Sequence, residues 1–171
     1  MTLSVTIVSI LGGMSAFMIL LNPDNIGIDP REIDMNFNPI SLNINFTLPF
    51  NLTNAGYFDM DNFKLRIDLA MNYSHVDYPV IGVNQSRVIK IFNKTQNFGK
   101  IPKGTTGNFN FTGIFSDFNF PPSFNFTTDV DQSVGPPAVI FIANFTISLD
   151  YSIGLYSLTI GFINIPVGGF P

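Results

Sequence analysis

The stretch SLNINFTLPFNLT, residues 41–53, decides the fold class of this chain. Apolar side chains occupy every second position from Leu42 to Leu52, and Ser, Asn, Thr and one proline lie between them. Successive side chains of a β-strand point to opposite faces, so this period of two is typical of a strand with one buried face. The stretch predicts a long strand at the surface of a β-rich core.

The same alternation recurs along the rest of the chain. Strong runs cover residues 63–73, 139–151 and 156–162, and weaker runs cover 88–92, 108–115 and 118–128. Because a short turn at 54–56 joins the first two strong runs, we expect them to be neighbouring antiparallel strands. Together these runs predict an all-β fold, an immunoglobulin-like antiparallel β-sandwich of seven to eight strands preceded by one N-terminal hydrophobic helix.

The N-terminal segment differs from everything that follows it. Residues 1–23 contain no charged side chain, and residues 3–21 form an apolar run long enough to cross a bilayer as a helix. A signal peptide has a basic start, whereas the first basic residue here is Arg31, so we expect the segment to be retained. We divide the chain into an N-terminal segment, 1–22, and an extracytoplasmic sandwich domain, 23–171.

Two interpretations of this segment remain open, with the helix favoured. It is a helix in lipid or in the core of a filament, or it is a strand donated to another subunit, with Gly12 and Gly13 as the hinge. In each case its large apolar side chains are the candidate assembly residues: Leu3, Val5, Ile7, Ile10, Leu11, Phe17 and Leu20.

The most informative motif is the acceptor sequence for N-glycosylation, Asn-x-Ser/Thr, which occurs eight times. If the 19 Asn and the Ser and Thr residues were placed independently along the chain, only about three such motifs would be expected. In six of the eight motifs the middle residue is apolar, which places the acceptor Asn on the solvent face of a strand. The predicted sites are Asn45, Asn51, Asn72, Asn84, Asn93, Asn110, Asn125 and Asn144.

Composition argues against most other functions. Charged residues make up 12% of the chain, there is no Cys, and the net charge is −4, so nucleic-acid binding and thiol chemistry are disfavoured. With one His, His75, and one Glu, Glu32, we predict neither an enzyme nor a cofactor, and we expect His75 in a solvated loop. Asp59 and Asp61 lie in a turn that could collect calcium, although ordinary polar turn chemistry is the favoured explanation.

Residues 46–59, 63–69 and 98–111 give the chain a resemblance to the late embryogenesis abundant type 2 domain. These segments run strand, Asn-containing turn, strand, and then a Pro-Lys-Gly turn at 102–104 before another strand. The resemblance covers roughly residues 35–115 and implies an immunoglobulin-like sandwich, often behind a single membrane segment, with no enzymatic activity. The chain is also similar to archaeal surface-filament subunits of the pilin type, which join an apolar N-terminus to a glycosylated β-domain.

These observations favour a non-catalytic, N-glycosylated cell-surface subunit that self-associates through its hydrophobic N-terminus into a filament or envelope assembly. The alternative is a single-pass, membrane-anchored binding or accessory module of a larger membrane complex, held in the membrane by residues 3–21. Both place the sandwich outside the cytoplasm and give it N-linked glycans.

Overall fold

The computed structural model describes residues 2–38, 41–76, 84–131, 133, 138–151, 154 and 156–170. One long helix, α1 (Thr2–Leu21), precedes eight strands, and a single helical turn, α2 (Phe126–Asp129), lies between the sixth and seventh strands. The strands are β1 (Ile26–Ile28), β2 (Asp34–Asn38), β3 (Asn43–Thr53), β4 (Met60–Val76), β5 (Asn84–Ile101), β6 (Thr106–Gly113), β7 (Val139–Tyr151) and β8 (Tyr156–Phe170).

The strands form two four-stranded antiparallel sheets. In the first sheet, β3 pairs with β1 and β2 on one side and with β6 on the other. The second sheet has the order β5-β4-β7-β8. The mostly β fold with an N-terminal helix is confirmed, and the arrangement is sandwich-like.

Alternating apolar residues of both sheets build one core. β7 alternates between buried and half-buried positions along its whole length, and β3 alternates in the same way. The largest fully buried side chains include Phe63, Phe111, Phe145 and Tyr151. Phenylalanine rings meet edge to face across the core, for example Phe46 with Phe92 at 5.1 Å between centroids.

The predicted hairpin between the first two strong runs is wrong. β3 and β4 lie in different sheets, because the chain between them crosses from one sheet to the other around Asn54. Asn54 is fully buried, and its amide nitrogen donates to Phe58 O at 3.0 Å and Ile101 O at 2.9 Å. Its Oδ1 accepts from Gly56 N and from Tyr151 Oη, both at 3.1 Å. This hub joins the crossing to β5 and β7.

Two further expectations need correction. Residues 118–128, predicted as a strand, form irregular chain and the start of α2, because Pro121 and Pro122 lack the N–H groups that a ladder needs and Asn125 caps the helical turn. The donor-strand interpretation of the N-terminus is also wrong, since Thr2–Leu21 is helical. Within the described chain, no helix is long and apolar enough to cross a membrane, so the membrane span expected for residues 3–21 is not found.

Candidate assembly and glycosylation surfaces

α1 lies against the β-domain with its small side chains inward. Ser15 and Ile19 are fully buried, and Ala16 packs against the core. Ser15 Oγ accepts a hydrogen bond from Tyr57 N and donates one to Leu11 O, both at 2.8 Å. A Cβ built on Gly56 would lie 2.8 Å from Ser15 Cβ, so the crossing loop approaches α1 as closely as a glycine allows. The helix is therefore docked in a fixed orientation.

The opposite side of α1 exposes large apolar side chains in a regular spacing. The intervals between them are three, four, three and four residues, which is the heptad pattern of the core positions of a coiled coil. We call these residues the apolar seam: Ile7, Ile10, Met14, Phe17 and Leu21, which are 46–64% exposed. Leu20, beside the seam, is also about half exposed.

The predicted assembly residues differ in their exposure to solvent. Ile7, Ile10, Phe17 and Leu20 are exposed, whereas Leu11 is partly buried, and the side chains of Leu3 and Val5 lie outside the described residues. Sequence reasoning missed Met14 and Leu21. Every face of this segment is apolar in sequence, so only the docking on Ser15 and Ile19 selects the face that stays exposed.

The structure places the glycosylation motifs on the solvent side of the strands. All six apolar middle residues are buried: Phe46, Leu52, Tyr73, Phe111, Phe126 and Phe145. Five of them lie in strands and follow the alternation, whereas Phe126 lies in α2. The acceptors Asn45, Asn93, Asn110 and Asn125 are exposed. At Asn125, Oδ1 accepts from Thr127 N at 3.0 Å and from Thr127 Oγ1 at 2.7 Å, so asparagine and hydroxyl of that motif are already in contact.

Three acceptors are less accessible. Asn51, Asn72 and Asn144 are half-buried. A Cβ on Gly27 would touch the Asn51 amide, so β1 approaches that side chain closely, and Asn144 Oδ1 accepts from Asn164 N at 2.7 Å. The burial of Asn84, the eighth acceptor, lies outside the described residues.

The candidate calcium turn already holds a cation of the protein itself. Lys100 Nζ lies 2.6 Å from an Asp59 oxygen and 3.8 Å from an Asp61 oxygen. The Lys100 ammonium, followed by a hydrogen bond from Lys103 N, holds the pKa of Asp59 below its usual value. Among the described residues, no cluster of three or more His, Cys, Asp or Glu has the spacing of a metal site.

The single histidine is not in a loop, contrary to expectation. His75 lies in β4 and is half-buried, beside Tyr73 at 6.2 Å between ring centroids. An open groove of about 530 Å³ on the second sheet contains Arg66 and Asp68, but these two form a bidentate ion pair with both distances 2.9 Å. Both carboxylate oxygens of Asp68 are therefore occupied by Arg66.

Comparison with known proteins gives little further information. No family model matches the sequence, and no curated protein sequence matches it. Among solved structures, the chain is similar to Spo0M, a sporulation control protein from Bacillus subtilis, at 15% identity and a TM-score of 0.31. The match covers 82% of this chain and 49% of Spo0M, so the chain spans about half the length of that protein. The resemblances to the late embryogenesis abundant type 2 domain and to filament subunits stay predictions from sequence.

Proposed function

We propose that this chain is a non-catalytic, N-glycosylated subunit of a cell-surface assembly, a filament or an envelope layer, in which subunits associate through α1. The observation that carries the proposal is the apolar seam. Five large apolar residues at heptad spacing on the exposed side of a docked helix form the kind of surface that a second helix covers in a coiled coil.

The exposed apolar area of the seam is large enough for a contact between two helices. Five half-exposed apolar side chains on each of two helices offer on the order of 1,000 Å² of buried surface, near the lower limit of stable interfaces. A helix that lies on a membrane surface usually carries Lys or Arg on its polar face, whereas residues 1–23 carry no charge. The seam therefore suits a protein partner better than lipid headgroups.

The glycosylation motifs support an extracytoplasmic location. Acceptors on the outer faces of both sheets would give a weakly charged surface the hydration that it otherwise lacks. We also infer that the two sheets form an immunoglobulin-like sandwich, as the late embryogenesis abundant type 2 resemblance implies.

Paired substitutions test the assembly role of α1. I7D and I10D together place charges within the apolar seam, and we expect them to abolish assembly and release a folded β-domain. V88D is the matched control, because Val88 is similarly exposed at 61% but lies on β5. Size-exclusion chromatography with circular dichroism distinguishes loss of assembly from loss of folding. A polymer that is unchanged in the double variant would contradict the proposal.

A further inference from the structure

The two edges of the second sheet differ in chemistry. β5, at one edge, carries Arg87, Lys90, Lys94 and Lys100 as well as two glycosylation motifs. Charges and bulky groups of this kind prevent edge strands from pairing with other chains. β8, at the other edge, has no charged residue and no glycosylation motif over its 15 residues. Of the two edge strands of this sheet, β8 therefore lacks both the charges and the glycosylation motifs that protect β5.

The regular part of β8 is its first half. From Tyr156 to Phe162 it pairs with β7 in unbroken register, and the register shifts only beyond Phe162. Asn164, with φ of 57°, lies at the first register shift, and Pro166 follows within the same strand. Among the described residues, 156–162 form no backbone–backbone hydrogen bond outside the sheet ladder, and a Cβ on Gly161 would meet nothing within 4 Å. No further strand of the described chain pairs with this edge, and the Tyr156 ring at its start lies 3.7 Å from a Cβ built on Gly13 of α1.

These seven residues are symmetric in character about Thr159. Leu158 and Ile160 flank it, the small residues Ser157 and Gly161 come next, and aromatic residues end the segment: Tyr156 and Phe162. In an antiparallel pair of two β8 strands with the two-fold axis at Thr159, each residue would lie opposite a residue of similar character on both faces of the sheet. Thr opposite Thr and aromatic opposite aromatic are favourable cross-strand pairs. A two-fold contact requires this kind of self-complementary surface.

We propose that β8 pairs with β8 of a second copy, antiparallel and centred on Thr159, so that two four-stranded sheets become one continuous sheet. The pairing satisfies the free N–H and C=O groups of the edge and covers Leu158 and Ile160, which are only partly buried at the rim of the core. This contact is separate from the apolar seam of α1. A subunit with two independent contacts can propagate an open assembly, whereas a subunit with one two-fold contact stops at a dimer.

Cysteine cross-linking of the full-length chain tests the register. The chain has no cysteine of its own, so each introduced thiol reports one position. In the proposed pair the two Thr159 Cα atoms lie about 5 Å apart, within disulfide range. The two Ser157 Cα atoms lie about 13 Å apart and cannot be bridged. Both side chains are exposed on the same face of the same strand, so S157C is the matched control.

We expect T159C to give a disulfide-linked dimer on mild oxidation, at least about tenfold more than S157C. Equal cross-linking of the two variants, or none with T159C, would overturn the pairing. A second measurement, hydrogen exchange, needs no substitution. Exchange at the outward amides of residues 156–162 should slow as the protein concentration rises. Exchange that does not depend on concentration would contradict the proposal.

The outcome can be separated from that of the proposed function. In the I7D and I10D background we expect T159C still to cross-link, because β8 remains free to pair when α1 does not. Filaments that persist without T159C cross-linking would refute the strand pairing and leave the role of α1 intact.

Discussion

The buried side-chain amide of Asn54 makes hydrogen bonds to several separate parts of the fold. It bonds two backbone carbonyls, one backbone N–H and the Tyr151 hydroxyl, and it is fully shielded from water. We expect N54A to lower the free energy of unfolding by about 3 kcal/mol or more, because several buried groups lose their partners at once. Urea denaturation measures this free energy of unfolding. N43A, at an exposed position of β3, should change stability by less than about 0.5 kcal/mol. A similar small effect of N54A would contradict the role of this hub.

Asp117 links β6 to β5 through two hydrogen bonds. Its Oδ2 accepts from Ile114 N at 3.0 Å and from Lys94 Nζ at 2.7 Å, and these two contacts hold the pKa of Asp117 below its usual value. A carboxyl whose pKa is lower in the folded state stabilises the fold above its unfolded pKa, and that contribution is lost as pH falls through the folded pKa. Acid should therefore weaken this link.

We expect D117N to flatten the loss of stability with acid, measured as urea midpoints from about pH 5 down to pH 2. K94M should flatten it less, because the Ile114 N–H still stabilises the charged carboxylate. Identical acid profiles for D117N and the parent chain would show that Asp117 does not couple folding to pH.

At the level of elements, the contact between Ser15 and the crossing loop helps to set the orientation of α1. Ser15 is fully buried, and its Cβ lies 2.8 Å from a Cβ built on Gly56, so the two segments are closely packed there. We expect S15L to displace α1 and to expose residues 21–26 to limited proteolysis, with the β-domain still folded. M14L changes an exposed position on the opposite side of the same helix and should be cut no faster than the parent chain. Equal protection of all three proteins would mean that the Ser15 contact does not hold the helix.

Glycan occupancy should follow the accessibility of each acceptor. We expect Asn45, Asn93, Asn110 and Asn125 to carry sugar more completely than Asn51, Asn72 and Asn144, because the latter are half-buried. Mass spectrometry of glycopeptides gives the occupancy of each site. Higher occupancy at the half-buried group would argue against glycosylation of the folded domain.

Alternation predicted the strands that have one buried face and many residues. It failed for β1 and β2, which have three and five residues and are too short for a period to stand out. It also could not say which strands pair, because the crossing at Asn54 depends on a buried side chain whose partners lie 2 to 97 positions away. The outward orientation of the acceptor asparagines was predictable, because it follows from the same period of two.

The face of α1 that stays exposed was not predictable for a different reason. A segment that is apolar on every side has no internal signal for orientation, and the docking against the β-domain supplies it. The sequence therefore predicted the segment, but not which of its residues are exposed or that the exposed ones have heptad spacing, and its role in assembly stays a prediction.

At the scale of the whole molecule, the proposed contacts and the predicted glycosylation sites lie in different parts of the sequence. All eight acceptor asparagines lie between residues 45 and 144, whereas the apolar seam and β8 lie toward the two ends of the chain. α1 also contacts β7 and β8, so the helix and the last two strands of the chain lie on one side of the β-domain. An assembly built from this side would leave most acceptor asparagines free to carry glycans, and the exception is Asn144, which accepts from Asn164 N of β8.

Electron microscopy of the native material, with intact mass measured on the same sample, tests this account most directly. We expect regular filaments or sheets, and a subunit mass above 18.9 kDa by several glycans. Monodisperse monomers with the bare mass of 18.9 kDa would contradict both the assembly and the glycosylated surface.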